Sequence, residues 1–239
     1  MWRLALSLLP LLFLSAPAPQ AAEIGPETFL NAKESEPWLG IGRVNVPGRR
    51  KRGMCTGTLI APDIVLTAAH CLINLRTGKP HLIGTVHFVA GWHKGGRVGH
   101  SKAKEIVIHP DFVMRSNGLP RSFAHDIGLI RLMHPIPDVA KPFPVVPFVR
   151  NDSYTLIGYR RDRAHALSRQ DDCSHIYNVR GVLQLGCLSN RGASGAPIFV
   201  ITPDGPGIVA VVSAGKKKPP MVYAAQAERV LADLLSLLE

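Results

Sequence analysis

Aromatic side chains are scarce, at 6% of the 239 residues, and acidic ones are outnumbered, with 17 Asp and Glu against 28 Lys and Arg. Too few aromatics means no stacking platforms for single-stranded nucleic acid, so no specific nucleic-acid partner is expected. The shortage of acid leaves a formal charge of +11, with basic clusters at Arg49–Arg52, Arg160–Arg163 and Lys216–Lys218. Most such loops are simply solvated, and weak association with anionic surfaces is the most they imply. A long apolar run is also missing. The stretch Leu4–Ala16 follows one positive residue, Arg3, and is broken by Pro10. It falls short of the ~20 residues that span a bilayer, so no transmembrane anchor is expected. It reads as an export signal over residues 1–22, cleaved near Ala18–Ala22. An HExxH motif is absent, and His81, His87, His93 and His100 lack metal-ligand spacing. No metal and no cofactor are expected.

Cysteines number four, Cys55, Cys71, Cys173 and Cys187. An even count in an exported chain suggests disulfides, and four cysteines can pair in three ways. The expected pairs are Cys55–Cys71 and Cys173–Cys187, since each closes a short loop between strand-like segments. Without the signal, roughly 215 residues remain, enough for one large all-β unit or two small subdomains.

What is present is a series of short strand-like runs between turn residues. They begin at Ile41–Val46, Cys55–Ile60, Ile64–Thr67, Val86–Ala90, Ala103–Ile108 and Ile127–Leu132. They resume at Ser153–Tyr159, Arg180–Leu185, Ala196–Ile201 and Gly207–Ser213. Frequent Gly and Pro between many short strands predict a barrel or sandwich. Pro135, Pro137, Pro142, Pro144 and Pro147 crowd one segment, which must be a linker or edge because proline lacks the backbone donor. Glu23–Glu36 reads as a polar extension ahead of the fold, and Ala224–Leu238 has apolar residues at helical spacing.

Three segments carry the chemistry: TAAHC at Thr67–Cys71, DIGLIRL at Asp126–Leu132 and GASGAP at Gly192–Pro197. They deliver His, Asp and Ser in that order. A serine hydroxyl becomes a useful nucleophile when an imidazole takes its proton and a buried carboxylate orients that imidazole. An α/β-hydrolase runs Ser, acid, His, but no histidine follows Ser194, and Ala196 replaces the second glycine of its elbow. A subtilisin order needs a catalytic Asp before the His, and Asp63 sits in no such motif. The order His, Asp, Ser is what remains.

On these segments the chain, from about Pro37 to its C-terminus, resembles the trypsin/chymotrypsin family of serine endopeptidases, in particular its bacterial branch. The resemblance implies an all-β fold of two antiparallel six-stranded β-barrels with a C-terminal helix. The first barrel would span residues 37–134 and the second residues 151–239, after a 23–36 extension and joined by a 135–150 linker. It implies His70 as general base, Asp126 as its orienting acid and Ser194 as nucleophile. It makes the Gly192 and Ser194 backbone N–H groups the oxyanion hole, and Ser213 a hydrogen-bond donor to the aspartate. His125 has no family role. Because neutral imidazole must accept the serine proton, hydrolysis is expected to rise with pH through roughly 6.5–7.

The chain departs from regulated zymogens of the family. Those carry Asp before the nucleophile, which pairs with a new α-amino group, whereas this chain has Ala193. Gly40–Val44 does not provide an Ile-Val-Gly-Gly terminus either. Activity is therefore expected without a buried new N-terminus. For substrate binding the resemblance points to Leu188, Ser189, Val212, Ser213, Gly215 and Met221. Leu188 and Ser189 offer no carboxylate for a P1 Lys or Arg, and Val212 stands where glutamyl endopeptidases place a histidine. Small-to-medium apolar P1 residues are expected, because burying such a side chain contributes roughly 1.5–3 kcal/mol.

The expected function is thus a secreted or periplasmic, monomeric serine endopeptidase acting on protein or peptide substrates. Two alternatives are an esterase with the same triad and a non-catalytic module that binds anionic partners.

Overall fold

A computed structural model describes residues 26–46, 53–75, 77–115, 119–151 and 153–238. The signal segment and the cluster Arg49–Arg52 lie outside these.

The strands β2 (Ile41–Val46), β3 (Gly53–Ala61), β4 (Ile64–Thr67), β5 (His87–Ala90), β6 (Gly99–Ile108) and β7 (Gly128–Leu132) follow the chain of a first barrel. It closes in the order β2-β3-β4-β7-β6-β5, with antiparallel neighbours. Its strands turn Val44, Leu59, Val65, Phe88 and Ile130 inward, each 0% exposed. The other face carries Arg43 and Asn45, as the two-residue period of a strand requires.

The second unit comprises β8 (Ser153–Arg160), β9 (Arg163–Val179), β10 (Val182–Gly186), β11 (Pro197–Thr202), β12 (Gly205–Lys217) and β13 (Pro220–Gln226). β8 pairs with both β9 and β11, so these six strands also form a closed ring. A further strand, β1 (Glu27–Phe29), adds to β9 with Glu27 opposite Gln170 and Phe29 opposite Ser168. Between β7 and β8 the proline-rich stretch forms no strand, apart from a bridge of Val145 to Ile208.

One core cluster runs through the first barrel and continues into the second, through Ile157, Tyr159, Leu167 and Phe199. Trp38 stacks on Phe143 at 5.8 Å and leans on Phe199 at 5.3 Å, which joins the N-terminal segment, the connecting stretch and β11. A separate cluster of Leu183, Leu185, Ile198, Val209 and Val222 fills the second ring.

Three segments differ from a plain reading of the sequence. The N-terminal stretch docks: α1 (Ala32–Ser35) follows β1 behind an Asn31–Glu34 capping box, and Leu30 is buried. Its Asn-x-x-Glu spacing was the available signal. The long β9 alternates too many polar residues to announce itself. The C-terminal helix, α2, runs Glu228–Ser236, later than the apolar spacing suggests, because Ala224 and Ala225 complete β13.

Both expected disulfides form, Cys55–Cys71 and Cys173–Cys187. Replacing Cys55 and Cys71 together by alanine is expected to lower stability by roughly 3 kcal/mol, the loop-entropy value for a closure of this length. Urea denaturation measures it. A loss below about 1 kcal/mol would mean that packing of the buried neighbours, not the crosslink, holds this corner.

Candidate active site

β4 delivers His70. The strand ends at Thr67, Ala68 stays extended, and a 3-10 turn over Ala69–Cys71 presents the imidazole. The Cys71 end of that turn is fastened to β3 by the disulfide to Cys55. Asp126 caps another 3-10 turn, Phe123–His125, just before β7. β4 and β7 are neighbours with Thr67 opposite Gly128, so the two turns lie side by side.

Asp126 is 0% exposed. An unpaired carboxylate there would be costly, and it is fully engaged instead. His70 N–H donates to Oδ1 at 2.8 Å, and His70 Nδ1 lies 2.7 Å from Oδ2. The Ser213 hydroxyl donates to Oδ2 as well, reaching across from β12 of the second ring. Nε2 of His70 lies 3.7 Å from Cys71 Sγ.

Ser194 sits half-buried in the turn between β10 and β11. Gly192 and Gly195 flank it at φ values of 103° and 79°, in the region that favours glycine. At Gly195 a Cβ would also stand 2.2 Å from Thr56 O and Thr67 Oγ1, so the turn presses directly against the first barrel. Backbone bonds fix it from several sides. Thr56 N–H donates to Ser194 O at 2.8 Å, Gly195 N–H to Val212 O at 2.8 Å, and Arg161 N–H to Arg191 O at 2.6 Å. Ala196 N–H donates to Ala193 O at 2.9 Å, while the Ala193 side chain is buried in the second core cluster. His70, Asp126 and Ser213 are thus hydrogen-bonded together. No hydrogen bond among the described residues joins the Ser194 hydroxyl to His70 Nε2.

The residues expected to bind substrate lie on neighbouring segments. Leu188 is half-buried, and its N–H donates to the buried Gln170 Oε1 at 2.8 Å. Ser189 packs on Gly215, where a Cβ would come within 2.5 Å of it. Met221 pairs across β12–β13 with Lys216 and touches the Gln184 amide. Val212 is 1% exposed, inside the second core cluster. Gly215 and Lys216–Lys218 are exposed.

Among the described residues, two groups of potential metal ligands stand out. In the first, Cys55 and Cys71 are disulfide-bonded and offer no thiolate beside His70. In the second, His109, Asp111 and His125 gather beside the aspartate turn, but the two rings stack at 4.7 Å with planes 9° apart. Near-parallel rings keep their in-plane lone pairs from converging on one ion. Burial, and then the neighbouring His125, hold His109 below the usual imidazole value. A cavity of about 580 Å³ lies elsewhere, on the outside of the first barrel among Arg43, His87, Trp92, Arg97 and His100.

Sequence reasoning overlooked two residues that organise this region, Gln170 and Thr56. Gln170 gave no signal in a strand of mixed polarity. Thr56 was legible at most as the residue after Cys55.

The family model described as Trypsin matches residues 31–230. Human serine protease 56 is 33% identical over 109 residues, which is 45% of this chain and 16% of that protein. A glutamyl endopeptidase of Bacillus licheniformis is 26% identical over 150 residues, 62% of this chain and 45% of the relative. The match to chicken urokinase-type plasminogen activator covers 22% of that protein, so the chain spans a minor part of these curated relatives. Among solved structures, a Glu endopeptidase in complex with MPD superposes with a TM-score of 0.73 at 18% identity, covering 90% of this chain and 96% of the other. A thermostable serine protease from an extremophilic microorganism gives 0.65 at 20% identity, over 79% and 91%. These two likenesses concern the fold. By the extent of the family match, the chain belongs to the trypsin family.

Proposed function

We propose that the protein is a serine endopeptidase working through an acyl-enzyme, with Ser194 as nucleophile, His70 as general base and Asp126 as the group that orients it. The observation that carries this reading is the buried Asp126, bonded at once to His70 N–H, His70 Nδ1 and the Ser213 hydroxyl. A carboxylate bonded at Nδ1 keeps the proton on that nitrogen, which leaves Nε2 with a lone pair for the serine proton. Contact between Ser194 and His70 need not be closed before substrate arrives, since such bonds tighten in the Michaelis complex. Gly192 and Ser194 N–H would receive the oxyanion, and such donors act strongly because they are fixed before charge develops.

The first barrel, residues 37–134, supplies His70 and Asp126, and the second, residues 151–239, supplies Ser194, on either side of the 135–150 connection. Substrate is a protein or peptide, the enzyme acts as a monomer, and export to the periplasm or medium fits the two disulfides. Leu188, Ser189, Ser213, Gly215 and Met221, with Val212 behind them, form the primary pocket.

A fluorophosphonate probe tests the reaction class. It is expected to label one residue, Ser194, identified by mass spectrometry of the peptide, and His70→Ala is expected to suppress labelling. Absence of labelling in the wild-type protein would point to the binding-module alternative, and comparison of matched peptide and ester substrates separates out an esterase. A P1-randomised peptide library is expected to favour small-to-medium apolar residues. Strong cleavage after Arg would overturn the pocket assignment.

A further inference from the structure

Ala193 leaves the nucleophile turn without a charge to anchor it, and the two positive-φ glycines make it pliable. Something else must hold it. The peptide Arg191–Gly192 is fixed through its carbonyl by Arg161 N–H, and the peptide Ala193–Ser194 through its carbonyl by Ala196 N–H. In a trans peptide the N–H points opposite to the C=O, so these bonds aim Gly192 N–H and Ser194 N–H. Between them lies the peptide Gly192–Ala193. Its carbonyl is held by a side chain, the Thr56 hydroxyl, at 2.9 Å.

Thr56 is 0% exposed, and each of its polar groups has a partner. Its N–H donates to Ser194 O, its carbonyl accepts the Thr67 hydroxyl at 2.7 Å, and its own hydroxyl accepts Tyr159 N–H at 2.9 Å. Because Tyr159 N–H can only donate, the hydroxyl proton is committed to Gly192 O. The backbone bond to Ser194 would exist with any residue but proline at this position. The hydroxyl is what threonine adds: it ties the turn to the end of β8 through a residue of the first barrel.

We propose that the Thr56 side chain is a positioning residue. Its hydroxyl would lock the Gly192–Ala193 peptide so that the N–H groups of Gly192 and Ser194 converge on the oxyanion, doing without a charge at position 193. This rests on the serine-endopeptidase reading. Removing the hydroxyl leaves a buried carbonyl and a buried N–H unpaired, which is costly. Rotation of the Gly192–Ala193 peptide relieves it, and Gly192 has no Cβ to resist. The donors then diverge.

Thr56→Val is nearly isosteric and removes the hydroxyl; Thr56→Ser restores it. Both are compared with wild type on one peptide substrate, per mole of folded protein, and with a peptide aldehyde that binds as a tetrahedral oxyanion. Thr56→Val is expected to lower kcat at least about tenfold, since loss of one oxyanion donor typically costs about 10²–10³-fold. Aldehyde Ki should rise in parallel while KM moves less than about threefold, and Thr56→Ser should recover both to within about threefold. Unchanged kcat and Ki in Thr56→Val, even with a lower Tm, overturns the proposal, as does a serine variant as poor as valine. If Thr56→Val does not fold, Thr56→Ala is read by the same criteria. Failure of the wild-type protein to react with a fluorophosphonate would instead sink the endopeptidase reading itself.

Discussion

Replacing Ser194 by alanine is expected to lower kcat by at least about 10⁴-fold and to leave the fold standing. The size is borrowed from serine-protease triads, the trypsin-family triad among them. The specificity of the loss comes from this geometry. The turn is held by backbone groups: Ser194 O accepts from Thr56, Gly195 N–H donates to Val212, and Ala196 N–H donates to Ala193. None of these needs the hydroxyl. Substituting a half-buried side chain outside the cores usually changes stability by no more than about 0.5 kcal/mol, so Tm should move by only a few degrees. Steady-state kinetics and a circular-dichroism melt on the same preparation check both halves. Wild-type turnover in the alanine variant would dismiss Ser194 as nucleophile, whereas an unfolded variant would show that the hydroxyl has a structural role the hydrogen bonds do not reveal.

How much of this could be read in the chain depends on whether the signal was local. The family was legible because three short segments each carry their own context, in the order His, Asp, Ser. The disulfides were legible because each closes a short loop. Most strands of the first barrel are short runs between turn residues and were located to within a few residues. β9 was not found, since Arg163–Val179 mixes Arg, Asp, His and Gln with few apolar residues and owes its conformation to β8, β10 and β1 on its flanks. Docking of the N-terminal stretch was hidden for a related reason. Trp38 packs on Phe143 and Phe199, and Leu30 N–H donates to Leu167 O, all partners far along the chain.

Thr56 is the instructive omission. Nothing about a threonine inside a strand marks it as special, since β-branched residues are ordinary there. Its importance arises where two barrels meet, from partners at Gly192 and Tyr159 that are more than one hundred positions away. The substitution that makes such a residue necessary, Ala193, was nevertheless visible. A sequence can show that an anchor is missing without showing what replaces it.

Asp126→Asn is expected to reduce kcat by about 10⁴-fold with little change in KM, and hydrogen-bond direction gives the reason. Both carboxylate oxygens now face donors: Oδ1 meets His70 N–H, while Oδ2 meets His70 Nδ1 and the Ser213 hydroxyl. An asparagine must put an NH2 on one side. At the Oδ1 position it would confront a backbone N–H that cannot change its role, at a buried site where the clash has no relief. At the Oδ2 position it faces an imidazole nitrogen that can become an acceptor by shifting its proton, and a hydroxyl that can rotate. The second arrangement is therefore the stable one. It moves the imidazole proton to Nε2, the nitrogen that must accept from Ser194, and the base is disabled while its position hardly changes. Fluorophosphonate labelling should slow in step with kcat, and the Cys55–Cys71 corner should remain intact in the melt. Ser213→Ala should cost far less, because it removes one donor and leaves the tautomer unchanged. If Asp126→Asn labels at the wild-type rate, the orienting role assigned to Asp126 fails, and the imidazole must owe its tautomer to another group.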